Sequence, residues 1–214
     1  MTPAKINELF ARFSKANPEP KTELDYVNAY TLLVAVVLSA QATDKGVNKA
    51  TPALFKKVKT PQAMLKLGEA GLKEYIKTIG LFNSKAKNII AMSQALVDAF
   101  GGKVPDTFDA LVSLPGVGRK SANVLLNAYF KQPTIAVDRH VLRVANRLGL
   151  AKSSSPDEVE KQLAQIVPAQ WALHAHHWLV LHGRYVCTAR APHCPACLVR
   201  DLCPFKGKTK SPRL

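Results

Sequence analysis

Between two stretches of helical apolar periodicity stands Leu114-Pro-Gly-Val-Gly-Arg-Lys-Ser-Ala122, and no other segment limits the fold so sharply. Pro115 stops a helix because it has no N–H to continue the ladder. Gly116 and Gly118 are expected where φ turns positive, so that the chain reverses within a few residues. The first helix is expected to open on Asp106 as N-cap, with Asp109 three residues on, and to run through Phe108, Leu111 and Val112 to Leu114. The second starts at about Arg119. Its first-turn N–H groups lack partners inside the helix and carry the positive end of the macrodipole. Gly116, Val117, Gly118 and Arg119 therefore form a seat for an anion such as a phosphodiester, held without reading any base.

Lys120 lies in the same first turn. On the helical period it falls with Asn123 and Asn127, away from a packing stripe of Ala122, Leu125 and Tyr129, so it is expected to face a groove. Two readings are open. Lys120 is one more phosphate-binding cation, or it is an amine partly desolvated among other cations and thereby made nucleophilic. Asp138 follows 18 residues later. A ten-residue helix advances ~15 Å, and the extended stretch after it is long enough to come back. Asp138 is expected to cap the helix from Arg139 to Leu148, and a capping carboxylate still has a second oxygen to offer.

Lysine and arginine exceed aspartate and glutamate by 15, which calls for a polyanionic partner. A membrane would tolerate that charge, but the apolar run from Leu32 to Leu38 falls far short of the ~20 residues a spanning helix needs. The first residues place Ile6, Leu9, Phe10 and Phe13 on one helical face and form no signal peptide, so a cytoplasmic protein, nucleoid-associated in a bacterium, is expected. Thiols stay reduced there. Cys187, Cys194, Cys197 and Cys203, spaced C-x6-C-x2-C-x5-C, are accordingly read as a metal site and not as two disulfides. Zinc is the generic occupant, yet its sites usually pair two close knuckles and only one pair is that close here.

Nearly every other segment reads as helix, and sustained period-two alternation is absent. A helix over Ala29 to Leu38 leads to the polar loop Ser39-Ala-Gln-Ala-Thr-Asp44. A further helix runs from Asp44 towards Val58, and Thr60-Pro61 opens a short one. Gly71 to Ile79 and Ser84 to Phe100 flank a turn at Gly80. Ser155-Pro156-Asp-Glu158 comes close to a capping box, and a last helix runs from about Ala169 to Gly183. Among the histidines, His174 and His177 share a helix face, which leaves a second metal site or simple packing open; His140 is expected near Asp138. Arg139, Arg143 and Arg147 form one stripe available to phosphates, and Arg184, Arg190, Arg200, Lys206, Lys208, Lys210 and Arg213 surround or follow the cysteines.

Leu114-Pro-Gly-Val-Gly-Arg-Lys followed by Asp138 resembles the helix-hairpin-helix and Gly/Pro-Asp signature of the DNA glycosylase superfamily, and the lysine at 120 resembles its endonuclease III branch. The resemblance runs from Thr31 to the last cysteine. It implies an all-α fold: a six-helix barrel domain over residues 21–132, a second helical domain of residues 1–20 plus 133–214, and a DNA-binding cleft between them. It implies that Lys120 attacks C1′ of a damaged nucleotide with Asp138 assisting. It also implies that Cys187, Cys194, Cys197 and Cys203 hold a [4Fe-4S] cluster of structural role. A nucleotide that leaves the stack must be replaced. In the family's insertion loops, Gln41 takes the place of a residue that pairs with the orphaned base and Leu81 that of a wedge, although a loop glutamine is commonly just solvated and Leu81 could be core. Ser39 and Asp44 are pocket candidates, and His140 and Arg184 are DNA-binding candidates. Arg139 departs from the threonine common there. The implied function is a monomeric bifunctional glycosylase and AP lyase acting on double-stranded DNA with oxidised pyrimidines or abasic sites. The rivals are a monofunctional glycosylase of the same fold, which would lack the lysine at 120 and carry a glutamate near Val36, and a non-enzymatic hairpin module.

Overall fold

A computed structural model describes residues 1–210, and among them the chain contains helices and no strand. In order these are α1 (Pro3–Ala16), α2 (Ala29–Leu38), α3 (Asp44–Lys57), α4 (Pro61–Ile76), α5 (Phe82–Phe100), α6 (Phe108–Val112), α7 (Arg119–Ala128), α8 (Arg139–Leu148), α9 (Pro156–Ile166) and α10 (Ala169–Tyr185). The all-α expectation holds. No helix among the described residues is long and apolar enough to cross a membrane. Contacts divide the chain into two compact units: Met1–Thr22 with everything from Gln132 onward, and Glu23–Lys131.

The Glu23–Lys131 unit is built on α2, whose residues from Tyr30 to Leu38 are all buried. Asn28 and Thr31 close a capping box at its start. Leu32, Leu33 and Leu38 are fully buried, and each side chain so placed contributes about 2 kcal/mol. α2 packs on α3, α5 and α7. Three contacts orient these helices. The ring of Tyr26, just ahead of α2, meets that of Tyr129, just after α7, edge-on at 6.3 Å, so α2 and α7 run antiparallel. Near that end of α2, the Tyr30 hydroxyl shares a 2.6 Å hydrogen bond with Ser93 Oγ of α5. Asn88, closer to the start of α5, lies against Gly116 of the turn before α7. Consequently the finish of α2, the start of α5 and the start of α7 all occupy one end of the unit.

The other unit packs α8 on α10 around Val141, Val144, Ala175 and Leu179. Gly183 permits this approach, since a Cβ there would lie 2.9 Å from His140 Cβ. α1 joins through Phe10 and Phe13 and through two indoles of α10: Trp178 Nε1 donates to the Asn17 carbonyl and Trp171 Nε1 to Asn7 Oδ1, each at 2.8 Å.

Several local expectations need correction. The segment from Pro61 to Ile76 is two helices joined across a kink at Gly68 (φ 73, ψ 168), so the short helix opened by Thr60-Pro61 and a second helix after it are both present, the break falling at Gly68 and not at Gly71 and the second helix ending at Ile76 and not Ile79. Only a glycine enters that region without strain, which is why the break falls there. α6 is capped by Thr107, not Asp106, and ends at Val112. Ser155 does cap α9, but its side chain takes no capping hydrogen bond. Tyr129, expected to pack, is 39% exposed, whereas Asn123 and Asn127, expected on the open face, are buried. α7 thus buries a broader face than its apolar residues alone predict.

Candidate functional site

The turn between α6 and α7 departs from its sequence reading at one glycine. Gly116 has φ 78, and a Cβ there would come within 2.9 Å of Asn88 Cβ, so both conformation and space demand glycine. Gly118 has φ −92 and nothing within 4 Å of where its Cβ would stand. Neither backbone nor packing requires a glycine at 118. As N-cap of α7 it also brings no side-chain oxygen to the first turn, where the positive end of the helix dipole favours an anion. Val117 anchors the turn: its side chain is buried in the core, and its N–H donates to the Leu114 carbonyl at 3.1 Å. The Arg119 guanidinium lies 4.9 Å from the Phe108 ring centre. Lys120 is exposed in the next position.

Two other candidates share this end of the unit. Gln41 follows α2 and Leu81 precedes α5, and both are exposed. Both also hold left-handed backbone, with φ 53 and φ 60. Only one further non-glycine among the described residues does so, Lys131. Such a conformation costs of order 1–3 kcal/mol and persists where the surroundings impose it, typically at functional loops. Leu81, 59% exposed, is not core. Ser39 caps the end of α2 and donates its hydroxyl to the Val36 carbonyl at 2.8 Å, while half-buried Asp44 opens α3.

Asp138 belongs to the other unit and caps α8. A single oxygen, Oδ1, accepts from the N–H groups of His140 and Val141, both at 2.8 Å, which leaves Oδ2 unspent on the cap. Burial holds His140 below its ordinary pKa, with the Asp138 carboxylate opposing, so the ring is neutral near pH 7. The arginine stripe is largely committed elsewhere. Arg143 donates to the carbonyls of Gly183 (2.7 Å) and Cys187 (3.0 Å), and Arg147 to those of Thr188 (2.7 Å) and Ala189 (2.9 Å). These two side chains tie α8 to the cysteine segment; of the three, only Arg139 is exposed. Arg184 is half-buried in the last turn of α10.

No disulfide joins Cys187, Cys194, Cys197 and Cys203, which together line one cavity of about 330 Å³, its open mouth included. Among the described residues, no three His, Cys, Asp or Glu side chains gather closely enough to hold a single ion. Burial pushes the Cys197 and Cys203 thiols up, and the charge of neighbouring thiolates adds to that. Four thiolates here call for positive charge distributed round the cavity. The histidines pack instead: His176, His177 and His182 are buried, and the His182 ring sits 5.1 Å from that of Phe13. Arg213 lies outside the described residues.

Sequence reasoning overlooked Phe108 as a platform for Arg119, Asn88 behind Gly116, and Lys85, whose amine is buried in α5. For Lys85 a signal existed: it falls on the stripe of Ile89, Met92 and Leu96, the buried face of that helix.

The model of the HhH-GPD superfamily of base excision DNA repair proteins matches residues 34–169. The endonuclease III of Rickettsia conorii is 59% identical over 200 residues, covering 94% of this chain and 95% of that one. That of Escherichia coli is 52% identical over 208 residues, covering 97% and 99%. Among solved structures, a trapped endonuclease III-DNA covalent intermediate is similar at TM-score 0.88 and 43% identity over 95% of this chain and 96% of that one. A thermostable thymine-DNA glycosylase, 22% identical, shares the fold at TM-score 0.84, covering 94% and 96%.

Proposed function

The chain belongs to the HhH-GPD superfamily of base excision DNA repair proteins, and from that membership we propose that it is a bifunctional DNA glycosylase and AP lyase of the endonuclease III kind. The observation that carries this reading is the convergence, at one end of the Glu23–Lys131 unit, of an anion-seating turn, the exposed amine of Lys120, and two exposed side chains on left-handed backbone. Its substrate is double-stranded DNA with a damaged base or an abasic site, taken as a monomer in the cytoplasm.

The substrate class is oxidised pyrimidines. Gly116, Gly118 and Arg119 seat the phosphodiester while Leu81 enters the stack and Gln41 pairs with the orphaned base. Ser39 and Asp44 line the pocket of the everted base. Lys120 Nζ attacks C1′; the C1′–N bond breaks and the base departs with its electron pair, taking up a proton. Asp138, through the oxygen its cap leaves unspent, balances the positive charge that develops on the sugar. Ring opening gives a Schiff base between Lys120 and C1′. That imine acidifies the C2′ proton, and its loss expels the 3′ phosphate by β-elimination.

The four cysteines fit a [4Fe-4S] cluster better than one zinc. A single ion must reach all four thiolates at about 2.3 Å, whereas a cluster takes one thiolate on each of several metal atoms round a cavity such as this. A cluster held by Cys187, Cys194, Cys197 and Cys203 supplies a fixed knot of structure. Around it, Arg143 and Arg147 clamp the chain carbonyls, and Arg190 and Arg200 remain exposed to phosphate.

Borohydride trapping tests the assignment. Wild-type protein with duplex containing an oxidised pyrimidine or an abasic site should give a covalent complex, and Lys120→Gln should give none while keeping most of its DNA affinity. Base release without a trap would make the protein monofunctional, and binding without either reaction would make it a hairpin module. Robust trapping by Lys120→Gln would move the nucleophile elsewhere.

A further inference from the structure

Lys85 is 5% exposed, and among the described residues no acceptor lies within hydrogen-bond reach of its Nζ. That is an unusual state for a lysine, whose long stem normally carries the amine to water while the methylenes pack. Its neighbours Lys87 and Asn88 on the same helix do reach solvent. A buried ammonium without a partner opposes folding, and such a group in a native structure needs a reason. Burial also lowers the proton affinity of this amine.

Its location supplies the reason. The Lys85 N–H donates to the Leu81 carbonyl at 3.1 Å, so the residue sits one helical turn behind the exposed left-handed leucine. Asn88, three residues on, touches Gly116 of the anion-seating turn. The residue that carries the orphaned amine therefore belongs to the helical turn that joins the two loops of one unit which, on the function proposed above, meet the damaged strand.

We propose that Lys85 is a DNA-positioning residue, a cation left without a counter-charge in the free protein that finds one in the phosphodiester backbone when Leu81 enters the duplex. The flexible four-carbon stem lets the amine move outward to meet it. The Leu81 turn would then be held to the strand by a charge that costs the free protein stability, and the cost is recovered only at a lesion, where the turn is inserted. No bond is made or broken at Lys85.

Lys85→Met keeps the stem and removes the amine. Thermal melting and anisotropy titrations over a range of salt, with a duplex carrying a tetrahydrofuran abasic analogue and with an undamaged duplex, read out both halves of the proposal. The variant should melt higher than wild type and bind the abasic-analogue duplex about tenfold more weakly, with a log–log salt slope shallower by about one. Lys85→Arg should retain the wild-type slope. A raised melting temperature with unchanged affinity and slope would leave the amine no part in DNA binding, and lowered stability or failure to fold would show that it serves the core; either overturns the proposal. Absence of preferential binding to the abasic analogue by wild type would instead remove the functional reading on which this one rests.

Discussion

At Gly116 and Gly118, two glycines on either side of Val117 do different work, and substitution separates them. Gly116→Ala forces a Cβ onto a residue with φ 78 and against Asn88, so a loss of about 1–2 kcal/mol in stability is expected together with weaker DNA binding. Gly118→Ala meets nothing within 4 Å and needs no change of backbone, so its melting temperature should stay near wild type, within about 0.5 kcal/mol. Its DNA affinity should still fall, because the new methyl group stands where the phosphodiester comes against the first amides of α7. Wild-type affinity in Gly118→Ala would mean that no ligand backbone approaches there. Asp138→Asn keeps a capping oxygen for His140 and Val141, so the fold should survive while single-turnover base release slows on the order of 10²-fold. At this scale the sequence exposes what depends on residue type: the positive φ of Gly116 and the cap that Asp138 gives α8. It conceals what depends on surroundings. No local rule puts Gln41 and Leu81 in left-handed backbone, and the platform that Phe108 offers Arg119 links residues from different helices.

Helices were legible because apolar residues recur at the helical period, and breaks were legible where a proline or a cap marks them. The break within α4 was legible as well, but not the glycine that makes it: Gly68 and Gly71 both stand in the apolar pattern, and only Gly68 (φ 73, ψ 168) leaves the helical region. What orients the helices is less visible still, and the Tyr30–Ser93 bond between α2 and α5 is an example. Burial pushes the Tyr30 phenol up, beyond its ordinary value, and the bond to Ser93 only partly offsets this. A folded pKa raised above the unfolded one contributes stability that is complete below about pH 10 and is lost as pH rises past it. Tyr30→Phe removes both the bond and this titration. The variant should be less stable by about 1 kcal/mol at neutral pH, Ser93 keeping its bond to the Ile89 carbonyl. Melting curves between neutral and strongly alkaline pH should show the two proteins converging, since every other alkaline group is common to both. A constant gap above about pH 10 would mean that the phenol is not held neutral by its surroundings.

For the whole molecule the net charge of +15 is the most visible number in the sequence and the least direct guide to binding. Much of it is not offered to a ligand. Arg12 is engaged by Glu8, by the carboxylate of Asp201 and by the Leu198 carbonyl, which fastens α1 to the cysteine segment. Arg143 and Arg147 are spent on carbonyls of that segment, and Lys73, Lys77 and Lys161 pair with glutamates on their own helices. Lys57 lies 6.0 Å from the Tyr75 ring centre. The cations at the end marked by Gly116, Leu81 and Gln41 are few, chiefly Arg119, Lys120, Lys87 and Lys85. With a contribution from the cysteine segment, about five phosphates are expected to be neutralised, and the logarithm of the affinity for undamaged duplex should fall with the logarithm of salt at a slope of about −4 to −5. If a number of cations equal to the whole net charge met phosphates, the slope would approach about −13; if the charge lay off the DNA path, it would be near zero. Titration of one duplex from low to physiological salt distinguishes the three. An intermediate slope that becomes shallower by about one in an Arg119→Ala variant would place the anion-seating turn on the DNA path.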